Sequence, residues 1–164
     1  MHNYWTNSIQ VLSSYYRTLS YYLVSLGYFD GRWMNKPYIL CVDDDNTILM
    51  SLKAQLKYCL GAEFSYEIAE SAEEAWEVID ELMESGEHLS VIISDCLMPQ
   101  IKGDEFLIRV HEKHPDIVKL MLTGHADDEE MMKHLQTHAN LTACLTKPWK
   151  KEELVSIILA ALEK

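Results

Sequence analysis

Four short apolar runs in the sequence are each followed by polar residues of a different chemical kind. These are acids, a hydroxyl and an amine: Asp43, Asp44 and Asp45 after the first run, then Asp95, Thr123 and Lys147. The runs alternate with helical patterns, which is typical of a parallel sheet, and such sheets bind ligands outside the carboxyl ends of their strands. We therefore expect all four groups to meet at one edge of a sheet.

Acids from two strands, a hydroxyl and a lysine at one edge have a joint chemical use. Carboxylates can hold a hard divalent cation such as Mg²⁺, while Thr123 and Lys147 can hold the oxygens of an incoming phosphoryl group. One carboxylate would then be the nucleophile. The residue types therefore predict a phosphoryl-transfer site.

The same residues resemble the receiver domain of bacterial two-component response regulators, of the chemotaxis-receiver kind. The motifs that carry the resemblance are Val42-Asp43-Asp44, Asp95 with Met98-Pro99-Gln100-Ile101-Lys102-Gly103, Leu122-Thr123-Gly124 and Lys147-Pro148. They cover about residues 36 to 164, and their order and spacing argue against a chance match. The resemblance implies a protein that phosphorylates itself and switches partner interactions, without being a turnover enzyme.

The resemblance also implies the role of each acid. Asp95 aligns with the phosphoacceptor, whose carboxylate would attack a phosphohistidine on a sensor histidine kinase or a histidine phosphotransfer protein. Asp44 would bind Mg²⁺ directly and Asp43 mostly through water. Asp95 and the backbone carbonyl of Leu97 would be further metal ligands. A downstream effector protein would respond to the phosphorylated form.

The basic and hydroxyl residues have implied roles as well. Lys147 would pair with Asp95 at rest and with a phosphoryl oxygen afterwards, its direction fixed by a cis peptide bond before Pro148. Thr123 would hydrogen-bond the phosphoryl group in the active state. The family commonly has Tyr or Phe three residues before the lysine, and this chain has Cys144. The usual inward turn of an aromatic ring is therefore not expected here.

Two other functions fit parts of the sequence. Residues 43–47 match the Asp-x-Asp-x-Thr signature of haloacid-dehalogenase-type phosphatases, with Asp43 as nucleophile and Asp45 as acid. These enzymes have a further acidic motif beyond the lysine, which residues 150–164 do not supply, and Asp95 would have no role. The second alternative is a docking module that acts independently of phosphorylation.

Some candidate site residues have structural interpretations. Asp45 is interpreted as the N-cap of the first helix. His134 and His138 lie four apart, but no third ligand with zinc-like spacing accompanies them, so no metal site is predicted there. The four cysteines are widely spaced beside apolar segments, which predicts buried thiols in a reducing compartment: Cys41, Cys59, Cys96 and Cys144.

Composition limits the class of protein. The chain has 164 residues, of which 48% are hydrophobic, enough for one core. Its formal net charge of −12 argues against direct binding to nucleic acid, since neutralising phosphates needs clustered basic residues. The sequence has no secretory signal pattern and no apolar stretch of about 18 residues, so we expect a cytoplasmic protein without a membrane span.

Hydrophobic periodicity predicts five strands alternating with five helices in residues 37–164, the receiver domain. Right-handed crossovers favour a flavodoxin-like, doubly wound parallel sheet with strand order 2-1-3-4-5. The predicted strands are 38–42, 64–69, 89–94, 117–122 and 141–145, and the predicted helices are 46–60, 72–84, 103–113, 127–137 and 150–162. This order places strands one and three side by side, so that Asp43, Asp44 and Asp95 converge.

Residues 1–36 lie outside the resemblance and are predicted to be an amphipathic helix and a linker. An apolar stripe with heptad spacing runs through residues 5–26: Trp5, Ile9, Leu12, Tyr16, Leu19, Leu23 and Leu26. We expect a homodimer or higher assembly through this stripe. Packing into a helical bundle or onto the receiver domain would bury the same side chains.

Overall fold

A computed structural model describes residues 36–124 and 128–163. Its centre is a parallel sheet with strand order β2-β1-β3-β4-β5. The strands are β1 (Tyr38–Val42), β2 (Ser65–Ala69), β3 (Leu89–Asp95), β4 (Val118–Thr123) and β5 (Ala143–Thr146). The predicted flavodoxin-like strand order is therefore confirmed.

Five helices connect and follow the strands. They are α1 (Asn46–Leu60), α2 (Ala72–Glu84), α3 (Gly103–Lys113), α4 (Glu129–His138) and α5 (Lys151–Leu162), with a short 3₁₀ turn at Gly61–Glu63. The predicted strands and helices of the receiver part agree with these bounds to within two residues at each end. The helix predicted within residues 1–36 lies outside the described residues.

The strands send alternate side chains to two core layers. On β1, Ile39 and Cys41 pack with the buried leucines of α1 and with α5, whereas Leu40 and Val42 pack with α2, α3 and α4. All seven residues of β3 are buried, because this central strand is covered on both faces. The sheet is thus rigidly held where its carboxyl ends carry the polar residues.

The helix starts match their sequence signals. The carboxylate of Asp45 accepts the backbone N–H of Thr47 at 2.8 Å, so Asp45 is the N-cap of α1 as predicted. Ser71 caps α2 by accepting the N–H of Glu74 at 3.1 Å. The Glu74 carboxylate accepts the N–H of Glu70 at 2.6 Å, which is one residue earlier than in a standard capping box.

The four cysteines carry free thiols. Cys41 and Cys96 are buried as predicted, whereas Cys59 and Cys144 are only partly buried, because Cys59 is not on the buried leucine face of α1 and Cys144 is on the edge strand β5. Burial raises the pKa of Cys41 to about 12, so this thiol stays protonated at neutral pH. Within residues 36–124 and 128–163, no helix is both long and apolar enough to cross a bilayer.

A lysine is among the buried residues of the sheet. Lys119 on β4 is only 1% exposed, and its Nζ donates to the carbonyl oxygens of Ile117 at 2.6 Å and Pro115 at 3.0 Å. Burial lowers the pKa of Lys119 to about 8, an effect that the nearby charge of Asp116 opposes. The folded protein therefore releases this proton at a lower pH than an unfolded chain would.

We predict that Lys119 makes stability rise with pH. Between pH 8 and 10.5 the unfolded chain holds this proton and the folded protein does not, so the free energy of unfolding increases with pH. The slope is at most about 1.4 kcal/mol per pH unit. Urea unfolding of the wild type and Lys119→Met across this range measures it, because the difference between them cancels the titration of the cysteines. A difference that stays constant with pH would contradict the prediction.

Candidate functional site

The carboxyl ends of four strands bring the predicted site residues to one edge of the sheet. Asp43 and Asp44 follow β1, Asp95 ends β3 and Thr123 ends β4. Lys147 directly follows β5, and its backbone N–H donates to the carbonyl of Thr123 at 2.8 Å. β1 and β3 are paired neighbours, so the two acidic groups meet as the strand order requires.

A shared lysine joins two of the carboxylates. The Nζ of Lys147 lies 2.6 Å from Oδ2 of Asp43 and 2.6 Å from Oδ1 of Asp95. Both aspartates are buried, whereas the lysine side chain is about one-fifth exposed. The peptide bond between Lys147 and Pro148 is cis, as the family resemblance implied.

The second oxygen of each buried carboxylate is held by the backbone. Oδ1 of Asp43 accepts the N–H of Asp45 at 3.0 Å, and Oδ2 of Asp95 accepts the N–H of Leu97 at 2.8 Å. Each carboxylate thus has one oxygen on Lys147 and the other on a loop amide. The lysine and the two backbone amides together fix the orientation of both carboxylates.

Burial and the shared hydrogen bonds shift the pKa values of Asp43 and Lys147. Burial raises the pKa of Asp43, although the hydrogen bonds from Lys147 and from the Asp45 amide oppose the shift. Burial alone would lower the pKa of Lys147, but its hydrogen bonds to Asp43 and Asp95 outweigh that effect and raise it. Lys147 is therefore an ammonium ion throughout the neutral pH range.

The remaining predicted metal ligands lie at the rim. Asp44 is exposed beside Asp43, and the side chain of Leu97 is exposed, with its backbone folded against Asp95. In the described part of the chain, no three His, Cys, Asp or Glu side chains converge as a metal cluster. Asp43 and Asp95 are instead joined by the ammonium of Lys147, which contacts both.

These oxygen donors nevertheless fit Mg²⁺. This ion is usually held by one or two carboxylates, with waters completing its octahedron, so a three-carboxylate cage is not required. Asp44 is open to solvent beside the buried pair, and the loop that contains Leu97 brings backbone groups to the same edge.

Thr123 is the last residue of β4 and is 1% exposed. Burial raises the pKa of the Cys96 thiol, which follows Asp95, and the Thr123 side chain opposes that shift. No local sequence signal singles out Cys96, because its contact with Met131 comes from a distant helix. Cys144 is on β5, beside Met121 of β4.

A glycine lets α3 begin directly against β3, the strand that ends at Asp95. The N–H of Gly103 donates to the carbonyl of Cys96 at 2.9 Å. A Cβ atom at Gly103 would lie 1.8 Å from the backbone carbonyl oxygen of Asp95 and 3.0 Å from Oγ of Ser94. Only glycine therefore permits this close approach of helix and strand.

The sequence is similar to known proteins over most of the described residues. Residues 39–159 match the family model of the response regulator receiver domain. The hydrogenase transcriptional regulatory protein HoxA of Cupriavidus necator is 30% identical over 125 residues, which are 76% of this chain and 24% of HoxA. Sensor kinase CckA of Brucella abortus is 28% identical over 126 residues, covering 77% of this chain and 12% of the kinase.

Solved structures show the same fold. A CheY-like response regulator receiver domain from Methanospirillum hungatei superposes with a TM-score of 0.68 and 30% identity, covering 79% of this chain and 95% of that one. The chain spans about a quarter or less of HoxA and CckA, each of which contains a region similar to it. By the match across residues 39–159, the chain belongs to the response regulator receiver domain family of two-component systems.

Proposed function

We propose that this receiver accepts a phosphoryl group on Asp95 in a Mg²⁺-dependent reaction and thereby switches its interactions with partner proteins. The observation that supports the proposal best is the ion pair of Lys147 with both Asp43 and Asp95. It places a cation beside a buried carboxylate whose second oxygen is fixed by a loop amide. Of the acids at the edge, Asp95 is the one at the end of the central strand.

The proposed reaction transfers phosphoryl from nitrogen to oxygen. An oxygen of Asp95 forms a bond to phosphorus, and the bond from phosphorus to the donor's imidazole nitrogen breaks with its electron pair going to that nitrogen. Lys147 then exchanges its contact with Asp95 for one with a phosphoryl oxygen, and Thr123 donates to another. Because such transition states are loose, positioning and charge neutralisation supply most of the catalysis.

Mg²⁺, when bound, would neutralise the charge that develops on the transferred oxygens. Asp44 would hold it directly and Asp43 mostly through water, with Asp95 and the backbone carbonyl of Leu97 completing the protein ligands. Asp43 is oriented for this task by the amide of Asp45. Cation binding would require Lys147 to release at least one carboxylate.

The proposed partners follow from the reaction. The donor would be a phosphohistidine of a sensor kinase or histidine phosphotransfer protein, and a downstream effector would bind the phosphorylated form. The family is generally not one of turnover enzymes, and we propose the same for this chain. We also propose a cytoplasmic location and self-association through residues 5–26, which lie outside the described residues.

The alternatives receive no support from the site. A phosphatase of the haloacid-dehalogenase type would use Asp45 as a general acid, and such a group needs a raised pKa. Hydrogen bonds from Thr47 lower the pKa of Asp45 instead, since this carboxylate is engaged as a helix cap. A docking module that acts independently of phosphorylation would not need the ion pairs of Lys147 with Asp43 and Asp95.

Labelling with a small phosphodonor tests the proposal. We expect acetyl phosphate with Mg²⁺ to add one phosphoryl group, seen as an increase in intact mass and lost when a chelator removes the cation. Peptide mapping should place the group on the segment containing Asp95. A group mapped to Asp43 would favour the phosphatase, and absence of labelling at high donor concentration would favour the docking module.

A further inference from the structure

One hydrogen bond ties the segment that follows Lys147 to helix α1. The indole N–H of Trp149 donates to Oε1 of Gln55 at 3.1 Å, although the two residues are 94 positions apart in the chain. The other end of the Gln55 amide is also engaged, because its Nε2 donates to Oγ of Ser51 at 3.1 Å. The Gln55 oxygen is therefore turned towards the indole by a bond within its own helix.

Packing holds Trp149 in the same place. Its half-buried ring packs against the core layer that contains the leucines of α1 together with Leu154 and Ile158 of α5. Lys150, the N-cap of α5, makes no side-chain capping bond. Trp149 and Leu154 instead occupy the two positions of a hydrophobic staple, which are the residue before the N-cap and the fourth residue of the helix. Trp149 therefore fixes the direction in which the chain enters α5.

The short loop that carries Lys147 is thus held at both ends. On one side, the backbone N–H of Lys147 donates to the carbonyl of Thr123 at 2.8 Å. On the other side, Trp149 follows after a single proline, whose ring restricts the backbone between them. The Nζ of Lys147 must reach Asp43 and Asp95 at once, and it lies 2.6 Å from an oxygen of each. Contacts this short tolerate little movement of the loop.

We propose that Gln55 and Trp149 are positioning residues for Lys147. Gln55 holds the indole, the indole holds the loop, and the loop directs the ammonium to Asp43 and Asp95. The value of this arrangement for catalysis rests on the proposed phosphorylation of Asp95. Helix α1 also begins beside the acids, since its N-cap residue donates a backbone N–H to Oδ1 of Asp43 at 3.0 Å. One helix therefore supports both a carboxylate of the site and the lysine that pairs with it.

The NMR signal of the Lys147 ammonium tests the positioning without any phosphorylation. Its two ion pairs should slow hydrogen exchange enough for the signal to be observed in the isotope-labelled full chain, and Lys147→Arg identifies it. Gln55→Met removes the acceptor, and Trp149→Phe removes the donor but keeps an aromatic ring. We expect each change to shift the signal, and the double variant to shift it no further than the larger single change. Gln55→Glu, which keeps an oxygen acceptor, should leave it near its wild-type position.

Tyr66→Phe is the matched control. The hydroxyl of Tyr66 donates to the carbonyl of Gly61 at 3.0 Å, so this variant also removes a bond from an aromatic donor to a residue at α1, but at the opposite edge of the sheet. It should leave the Lys147 signal in place. A signal that is unmoved in Gln55→Met overturns the positioning role, as does an additive shift in the double variant or an equal shift in Tyr66→Phe.

The rate of labelling by acetyl phosphate with Mg²⁺ measures the consequence for the reaction. We expect Gln55→Met and Trp149→Phe each to slow labelling about tenfold, because a slightly misplaced catalytic group is much less effective. The double variant should be no slower than the slower single variant, and Tyr66→Phe should react at the wild-type rate. Wild-type rates in both Gln55→Met and Trp149→Phe overturn the inference. A wild-type protein that accepts no label refutes the proposed function instead, and the Lys147 signal still decides the positioning role.

Discussion

Asp95→Asn is expected to reduce phosphorylation by acetyl phosphate below detection. The amide has the size of the carboxylate but is a poor nucleophile, so the lost group is the one that would bond to phosphorus. The fold should persist, because Lys147 retains its ion pair with Asp43 and the amide oxygen can still accept the N–H of Leu97. We expect the free energy of unfolding to change by no more than about 1 kcal/mol.

Asp43→Asn is the matched control. It makes the same chemical change on the other carboxylate bound to Lys147, so it alters the charge of the site equally. If Asp95 is the phosphoacceptor, Asp43→Asn should slow labelling through weaker cation binding but leave the label on the Asp95 peptide. Intact mass gives the amount of label on each variant, and peptide mapping gives its position. Persistent labelling of Asp95→Asn together with loss of labelling in Asp43→Asn would reverse the assignment.

Gly103→Ala is expected to damage both stability and phosphorylation. Its Cβ would lie 1.8 Å from the backbone carbonyl oxygen of Asp95, so either α3 or the end of β3 must move. Overpacking of this kind typically costs 1–3 kcal/mol, and we expect about 3 kcal/mol here because the opposing atom belongs to the backbone. Displacing Asp95 should also slow labelling, since small misplacements of a reacting group have large effects on rate.

Gly124→Ala provides the comparison for Gly103→Ala. Gly124 follows Thr123 at the same edge of the sheet, and a Cβ there would meet no described atom within 4 Å. We expect it to leave the urea midpoint nearly unchanged. The steric argument fails if both variants show the same loss of stability, because the effect would then come from losing any glycine at this edge.

The sequence predicted the features that depend on local signals or on general rules of chain connection. The cap at Asp45 and the capping signal of Ser71 and Glu74 are local, and both helices begin where these residues indicate. The proximity of Asp43 and Asp95 follows from strand order, which handedness rules restrict. The candidate residues lie at strand ends, so the predicted strand order is enough to predict that they lie close together.

Other features depend on packing between distant elements and had no local signal. Cys96 meets Met131 only because α4 packs against this part of the sheet, 35 residues further along the chain. Lys119 is buried although lysine usually marks an exposed position, because two carbonyls of the preceding loop turn towards its ammonium. The bond from Lys147 to Asp43, in addition to Asp95, likewise required the positions of three strands.

Because Lys147 contacts two carboxylates, it would link the binding of a divalent cation to the binding of the phosphodonor. The carboxylates of Asp43, Asp44 and Asp95 outnumber the ammonium of Lys147, so the site would repel an anionic phosphodonor. A divalent cation held by these acids would offset this charge and displace Lys147 from a carboxylate, leaving the ammonium able to receive a phosphoryl oxygen. Cation and donor would then be thermodynamically linked, each raising the affinity for the other by the same factor. The apparent affinity for donor should rise with Mg²⁺ concentration, and Lys147 would be the residue that couples the two binding events.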